Sequence, residues 1–368
     1  MKLVTIVGAR PQFVKAAAIS RVLKDQNDIV EVLVHTGQHY DPSMSEIFFT
    51  ELEIAAPTHH LEVGPGSHGD QTARMLQAIE RVLLKEKPDC VLVYGDTNST
   101  LAGALAAVKL LVPVAHVEAG LRSFNRRMPE EINRVLTDHI AELLFAPTAG
   151  AVANLRREGI AENKVLLVGD IMYDAHIYYR EKAKRFSTIL QRLDLAERGF
   201  VLATIHRAEN VTDPDRLGAC INGLAQVSTR IPVVLPVHPR TATAIHERGL
   251  LSNDARDLRL IPPVGYLDMV ELERAAQLVV TDSGGIQKEA FFVRRPCVTL
   301  RTETEWTELV ELGWNRLAPP IDASVIAAIV LDSLDSEGRD ASPYGDGRSA
   351  EAIVDALVRR VGAFRSAL

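Results

Sequence analysis

Short apolar runs rich in Val, Leu and Ile alternate with amphipathic stretches along almost the whole chain, and this alternation limits the possible folds more than any other feature. Residues 3–7, 29–35, 90–94, 112–117, 143–146 and 165–168 read as strands in the first half. Helical patterns at 13–24, 72–86, 99–110 and 131–142 separate them. Strands without polar alternation, each followed by a helix, fit a parallel sheet covered on both faces. A charged helical segment at 173–195 interrupts the pattern, which then restarts. Strands at 200–205, 233–237, 258–261, 278–281 and 297–300 are separated by helices at 216–228, 267–276, 285–293 and 324–334. The 368 residues exceed a usual single core. The fold class is therefore α/β, with two doubly wound Rossmann-like domains joined near 169–198. The loop 335–346 precedes a last amphipathic helix at 350–364.

Composition narrows the function classes. A formal net charge of -7 argues against nucleic acid as a partner, while leaving room for a local basic pocket. Cys90, Cys220 and Cys297 are far apart, without metal-ligand spacing, and read as reduced core residues of a cytoplasmic protein. The first apolar run turns directly into Gly8-Ala-Arg-Pro11, with no signal-peptide cleavage region, and no run is long enough to span a bilayer. No metal site is expected, because the histidines are scattered and the close pair, His35 and His39, flanks a turn.

Ligands of doubly wound sheets bind beyond the carboxyl ends of the strands, so residues there carry the functional argument. The run 112–117 ends on Glu118, and an acid after a largely apolar strand is costly to bury without a role or a partner. His116 and Arg122 are candidate structural partners. Asp96 follows the strand 90–94, where it could instead cap the next helix. Glu130 and Glu131 open a helix, where acids also suit the helix dipole. Carboxylates in a partly dry site can have raised pKa values, as proton transfer requires.

Other strand ends bear cations. Arg10 and Lys15 flank the first strand–helix turn, where Pro11 suits the first helical turn and GxGxxG is absent. His206 and Arg207 follow the strand 200–205, and His238 follows 233–237. Each could bind phosphate or shuttle protons, or be a solvated turn residue. The sharpest local motif is Thr281-Asp-Ser283-Gly284-Gly285-Ile-Gln-Lys-Glu289. Two glycines after a strand free backbone N–H groups for phosphate at a helix N-terminus, and Glu289 one turn later could take ribose hydroxyls.

Taken in order, GARPQFVK, HTGQHYD, VYGDTNS, HVEAGLRS, MPEEINR, HRAEN, HPRT, TDSGGIQKEA and RTETEW resemble the non-hydrolysing UDP-N-acetylglucosamine 2-epimerases over nearly the whole chain. The resemblance implies a GT-B architecture with the active site between two domains. The first spans 1–170, with the helix 350–366 packed back on it, and the second, 171–349, binds UDP. It implies C2 epimerisation of UDP-N-acetylglucosamine by elimination of UDP to a 2-acetamidoglucal and re-addition. The matching catalytic positions are Asp96, Glu118 and Glu130, with His206 stabilising departing UDP. Glu130 is preferred to Glu131 because it directly follows Pro129. Arg10, Lys15, Arg207, His238, Ser283, Gly284, Gly285 and Glu289 match UDP-sugar contacts. No cofactor is called for, and a homodimer without membrane attachment is implied. Bacterial members activated by UDP-N-acetylglucosamine carry a glutamine-rich segment; here Gln38 is kept and the rest of 36–42 differs, which removes the ground for expecting that activation. Ser123-Phe-Asn-Arg-Arg127 resembles a branch acting on UDP-2,3-diacetamido-2,3-dideoxyglucuronate, whose C6 carboxylate its arginines could meet. The rival readings are a hydrolysing 2-epimerase, a retaining GT-B glycosyltransferase and a catalytically silent nucleotide-sugar sensor. The last two have no evident need for three carboxylates in the first domain.

Overall fold

The computed structural model describes residues 1–38, 53–250 and 257–365. The chain divides into two compact units, Met1–Ala175 with Ser342–Leu368, and His176–Ala341.

The first unit is built on a seven-stranded sheet ordered β3-β2-β1-β4-β5-β6-β7. Its strands are β1 (Lys2–Val7), β2 (Val30–His35), β3 (His59–His60), β4 (Cys90–Tyr94), β5 (Val114–Val117), β6 (Leu143–Ala146) and β7 (Val165–Leu167). Every pairing is parallel. The chain order reverses at β1, which pairs with β2 on one side and β4 on the other. All of β4 is buried, as expected for a central strand covered on both faces. The helix His68–Glu86 shows the local logic. Ser67 caps its first turn by accepting from the Asp70 amide, Met75, Ile79, Val82 and Leu83 are among its buried residues, and Lys87 ends it in the left-handed region. The last helix, Ser349–Arg365, packs against the first, Arg10–Leu23. Its start is fixed from within the unit, because Asp174 Oδ2 accepts from the Ala350 amide at 2.7 Å.

The second unit carries a six-stranded sheet ordered β10-β9-β8-β11-β12-β13. Its strands are β8 (Val201–Thr204), β9 (Val233–Pro236), β10 (Leu258–Ile261), β11 (Leu278–Thr281), β12 (Cys297–Thr299) and β13 (Asn315–Leu317). All are parallel, and the order reverses between β8 and β11. Both sheets are thus doubly wound, with the strand ends beside each reversal forming the natural ligand sites.

Several elements differ from the sequence expectation. β3 and β13 are short edge strands with little apolar signal. The helices Ala149–Arg157, Pro239–Glu247 and Thr307–Glu311 are additional. The charged segment expected at 173–195 is helical over Ile171–Phe186 and again over Ile189–Arg192. Among the described residues no helix is long and apolar enough to cross a membrane. The three cysteines are buried and unbonded, and burial pushes each thiol up to about 12, which leaves them unreactive.

His176 makes the fold sensitive to acid. It is fully buried, and neither ring nitrogen has a hydrogen-bond partner among the described residues. Burial, helped by repulsion from Arg180, holds its pKa down to about 3. The unfolded chain then binds a proton that the folded chain refuses, so this residue lowers stability progressively as pH falls from about 6.5 toward that value. Relative to the parent, His176→Leu is expected to gain stability as pH is lowered from about 7 to about 4. Urea denaturation across that range checks it; a pH-independent difference would contradict it.

Candidate active site

In the first unit the turns after β1, β4 and β5 are stitched together. Gln12, in the first turn of Arg10–Leu23, accepts from the Gly8 and Ala9 amides through Oε1 at 2.8 and 3.1 Å. Its Nε2 donates to the Tyr94 carbonyl, Thr97 Oγ1 and Thr100 Oγ1. Thr97, not Asp96, caps the helix Asn98–Lys109, so Asp96 is free of the capping role that its position allows. Arg134 pairs with the Asp96 carboxylate, and Asn133 Nδ2 holds the Asp96 carbonyl at 2.9 Å.

Lys15 Nζ forms an ion pair with Glu118, and both side chains are about nine-tenths buried. Lys15 is therefore the partner that the buried acid requires. The two candidates nearer in sequence go elsewhere: His116 bonds Asp138, and Arg122 bonds Asp138 and Glu158. Glu118 lies in the left-handed region, at φ +70°, an uncommon conformation for a residue with a side chain and one that gathers at functional sites. Gly95, with φ +61°, packs directly on this pair, since a Cβ there would lie 3.2 Å from Glu118 Oε2 and 3.3 Å from Lys15 Nζ.

The two adjacent glutamates separate cleanly. Glu131 is buried, and its carboxylate accepts from the Ser123 amide and hydroxyl, the Phe124 amide and Arg134, all within 3.2 Å. Burial alone would raise its pKa, but these donors outweigh burial and hold it below the usual range. Glu131 is thus a tether for the loop that carries Phe124 at φ +57°. Glu130 makes no hydrogen bond or ion pair among the described residues, and its charge acts on Asp96. Burial is the main cause that raises the Asp96 pKa above the usual carboxylate value; Glu118 and Glu130 push the same way, while Arg134 and Lys15 oppose them. A carboxylate whose ionisation is disfavoured by burial and by two neighbouring acids is an arrangement able to hold and release a proton. Arg10 begins its helix, but its side chain lies outside the described residues, as do His39 and the rest of the 39–52 segment. Gln38 is described, and its Oε1 accepts from Ser99 Nα and Oγ.

In the second unit Asp282, at the end of β11, organises the neighbouring turn after β8. Its carboxylate accepts from the His206 and Arg207 amides, from Asn210 Nδ2 and from His206 Nδ1, at 3.0 to 3.2 Å. Burial would raise its pKa, but His206 and these donors hold it low. The His206 ring is oriented from behind while more than half exposed. Arg207 starts the short helix Ala208–Val211, and His238 is exposed ahead of Pro239–Glu247. Ser283 occupies the position before Gly284–Phe292, but its hydroxyl does not cap that helix. The two glycines differ. A Cβ on Gly284 would strike Glu305 Oε1 at 2.1 Å, so a side chain there requires the Glu305 carboxylate to move. A Cβ on Gly285 would meet only Ser283 Oγ, at 3.9 Å, and otherwise open space. Glu289 is buried one turn further on.

The first unit thus brings Lys15, Asp96, Glu118 and Glu130 together, and the second gathers His206, Arg207 and Ser283 around Asp282. The sequence reading missed Gln12, Arg134 and Asp282 as members of these sites. Asp282 was accessible to the argument used for Glu118, because it too follows a largely apolar strand. Among the described residues no group of His, Cys, Asp and Glu side chains is arranged to hold a metal ion.

Two doubly wound α/β units with polar clusters at their strand ends define an enzyme of the GT-B class. Residues 21–358 match the model of the UDP-N-acetylglucosamine 2-epimerase family. The chain belongs to this family, and it is an isomerase. It is 48% identical over 363 residues to a UDP-2,3-diacetamido-2,3-dideoxy-D-glucuronate 2-epimerase of Pseudomonas aeruginosa, spanning 98% of this chain and 100% of that one. It is 45% identical over 363 residues to a UDP-N-acetylglucosamine 2-epimerase of Methanocaldococcus jannaschii, spanning 97% and 99%. The crystal structure of the Methanocaldococcus jannaschii enzyme in complex with UDP-GlcNAc and UDP has a TM-score of 0.88 to this chain, covering 98% of it and 100% of the solved chain.

Proposed function

We propose that the chain interconverts UDP-N-acetylglucosamine and UDP-N-acetylmannosamine without hydrolysis. One carboxylate of the first unit removes the C2 proton while the C1–O1 bond breaks and UDP leaves with the bonding pair, giving a 2-acetamidoglucal. A carboxylic acid then returns a proton to the opposite face of C2, as a UDP oxygen attacks C1. The observation that carries this reading is the raised proton affinity of Asp96, caused by its burial first and by the neighbouring Glu118 and Glu130 next. Lys15, which pairs with Glu118, and Arg10 are assigned to the charge that develops on departing UDP. His206, Arg207 and His238 hold the diphosphate, aided by Ser283 and the amides of Gly284 and Gly285, and Glu289 takes the ribose hydroxyls.

Incubation with UDP-N-acetylglucosamine in deuterated water tests the reading by NMR. The expected product is UDP-N-acetylmannosamine with deuterium at C2. Free N-acetylmannosamine with UDP would instead indicate the hydrolysing reaction. A second reading, epimerisation of UDP-2,3-diacetamido-2,3-dideoxyglucuronate, is favoured by Arg126 and Arg127. Both are exposed on the loop tethered by Glu131, and neither forms an ion pair among the described residues. Turnover of that sugar alone would select it.

The UDP half has its own test. Gly285→Ala fills open space and suits a helix, so it is expected to fold at least as stably as the parent. It should bind UDP about tenfold or more weakly, because the methyl occupies room assigned to phosphate. Unchanged affinity by calorimetry would contradict the clamp. A cytoplasmic homodimer completes the proposal. Its support is the helix Pro129–Ile140, which buries polar residues and leaves Ile132 and Leu136 exposed one turn apart. Light scattering tests the dimer, and a monomer would refute it.

A further inference from the structure

His116 is fully buried on β5, two residues before Glu118. Its Nδ1 lies 2.7 Å from Asp138 Oδ1, and its Nε2 lies 2.7 Å from the Gly95 carbonyl oxygen. A carboxylate and a carbonyl can only accept, so both ring nitrogens must donate, and both hydrogen bonds exist together only in the imidazolium. The surroundings balance that charge. Asp138 Oδ2 also accepts from the Gly120 amide at 3.0 Å and pairs with Arg122 Nη1 at 2.7 Å. Arg122 in turn grips Glu158 through Nε and Nη2 at 2.7 and 2.8 Å. Two cations and two anions therefore close a network that is buried except at Glu158, which reaches the surface.

The target of this network is the peptide that carries the site. The Gly95 amide donates to the Val117 carbonyl at 2.9 Å, its Cα packs on the Lys15–Glu118 pair, and its carbonyl is taken by His116. The next residue is Asp96. Asp138 at the same time holds Gly120, two residues after Glu118. We propose that His116, held as an imidazolium between Asp138 and the Gly95 carbonyl, is a positioning residue that sets the Asp96 carboxylate against Glu118 for proton transfer at C2. This rests on the epimerase reading above. His116 touches no reacting atom; it acts through Gly95. The charged groups that face it are Asp138 from Pro129–Ile140 and, through Asp138, Arg122 and Glu158; Asp96, Lys15 and Glu118 lie beyond the Gly95 peptide.

Two substitutions of similar polarity separate positioning from mere stability. The amide nitrogen of Gln reaches the place of Nε2, so His116→Gln keeps a donor to Gly95 and loses the bond to Asp138. The shorter His116→Asn can donate toward Asp138 and loses Gly95. His116→Asn is expected to lower kcat about 100-fold with KM within about threefold, since a misplacement of about 1 Å can cost that much. His116→Gln is expected to stay within about tenfold of the parent. Equal activities of the two variants, or an effect confined to KM, would overturn the proposal. Should His116→Asn fail to fold, His116→Gln decides alone: a fall in kcat well beyond about tenfold in a folded His116→Gln protein would overturn the proposal. A parent that incorporates no deuterium at C2 would refute the epimerase reading instead, so the two failures are distinct.

Discussion

Glu130→Gln is expected to reduce turnover by about 10²- to 10⁴-fold, the range for loss of a general acid or base, with the unfolding temperature unchanged. Glu131→Gln should do the reverse in stability, costing about 2–4 kcal/mol. The two residues are neighbours of the same type, and the difference lies wholly in their partners. The Glu131 carboxylate satisfies Ser123, Phe124 and Arg134, and its replacement leaves buried donors facing an amide. Among the described residues the Glu130 carboxylate has no such bond to lose. The pH dependence follows from the depressed pKa of Glu131: its stabilising contribution is complete above the ordinary carboxylate value and is lost as pH falls through the lower folded value. Thermal unfolding and steady-state rates of both variants check the pair. A stable, fully active Glu130→Gln enzyme would remove Glu130 from the proton-handling set.

Asp282→Ala is expected to lower the stability of the second unit by about 3–5 kcal/mol and to weaken UDP binding by about tenfold or more. The buried carboxylate is the common acceptor for the His206 and Arg207 amides and for Asn210, and it aims the His206 ring. Without it those donors are stranded, and the turn proposed to face the diphosphate loses its shape. The Asp282 pKa is also held low, so its contribution is present above the ordinary carboxylate value and disappears as pH drops through the folded one. Denaturation together with UDP titration tests this. Full UDP affinity in a folded Asp282→Ala protein would show that the His206–Arg207 turn needs no anchor for binding.

Much of this was legible in the residues. The apolar runs located all but two of the described strands, because a strand buried on both faces must be continuously apolar. The two missed, His59–His60 and Asn315–Leu317, are short edges held by one neighbour each. The acids at strand ends were legible for the same reason: burial demands that Glu118 have a partner or a purpose. The identity of that partner was not. His116 and Arg122 are near in sequence, yet the ion pair reaches back 103 positions to Lys15.

The helix Pro129–Ile140 marks the boundary between the two kinds of information. The period of 3.6 residues dictates that Glu131, Arg134 and Asp138 share one side and Ile132 and Leu136 another. That period does not say which side turns inward. Burial of the apolar side is the default, but here Glu131, Asn133, Thr137 and Asp138 are buried and Ile132 and Leu136 are exposed. The inversion is affordable because Ser123, Phe124, His116, Arg122 and the Asp96 carbonyl supply partners for Glu131, Asn133 and Asp138, while the Thr137 hydroxyl alone of the four has none among the described residues. The sequence by itself determined two doubly wound sheets, the strand ends where chemistry gathers and the acids placed there. Only the tertiary structure decided which acids are tied down and which remain available for protons, because that choice depends on donors brought from distant strands and helices.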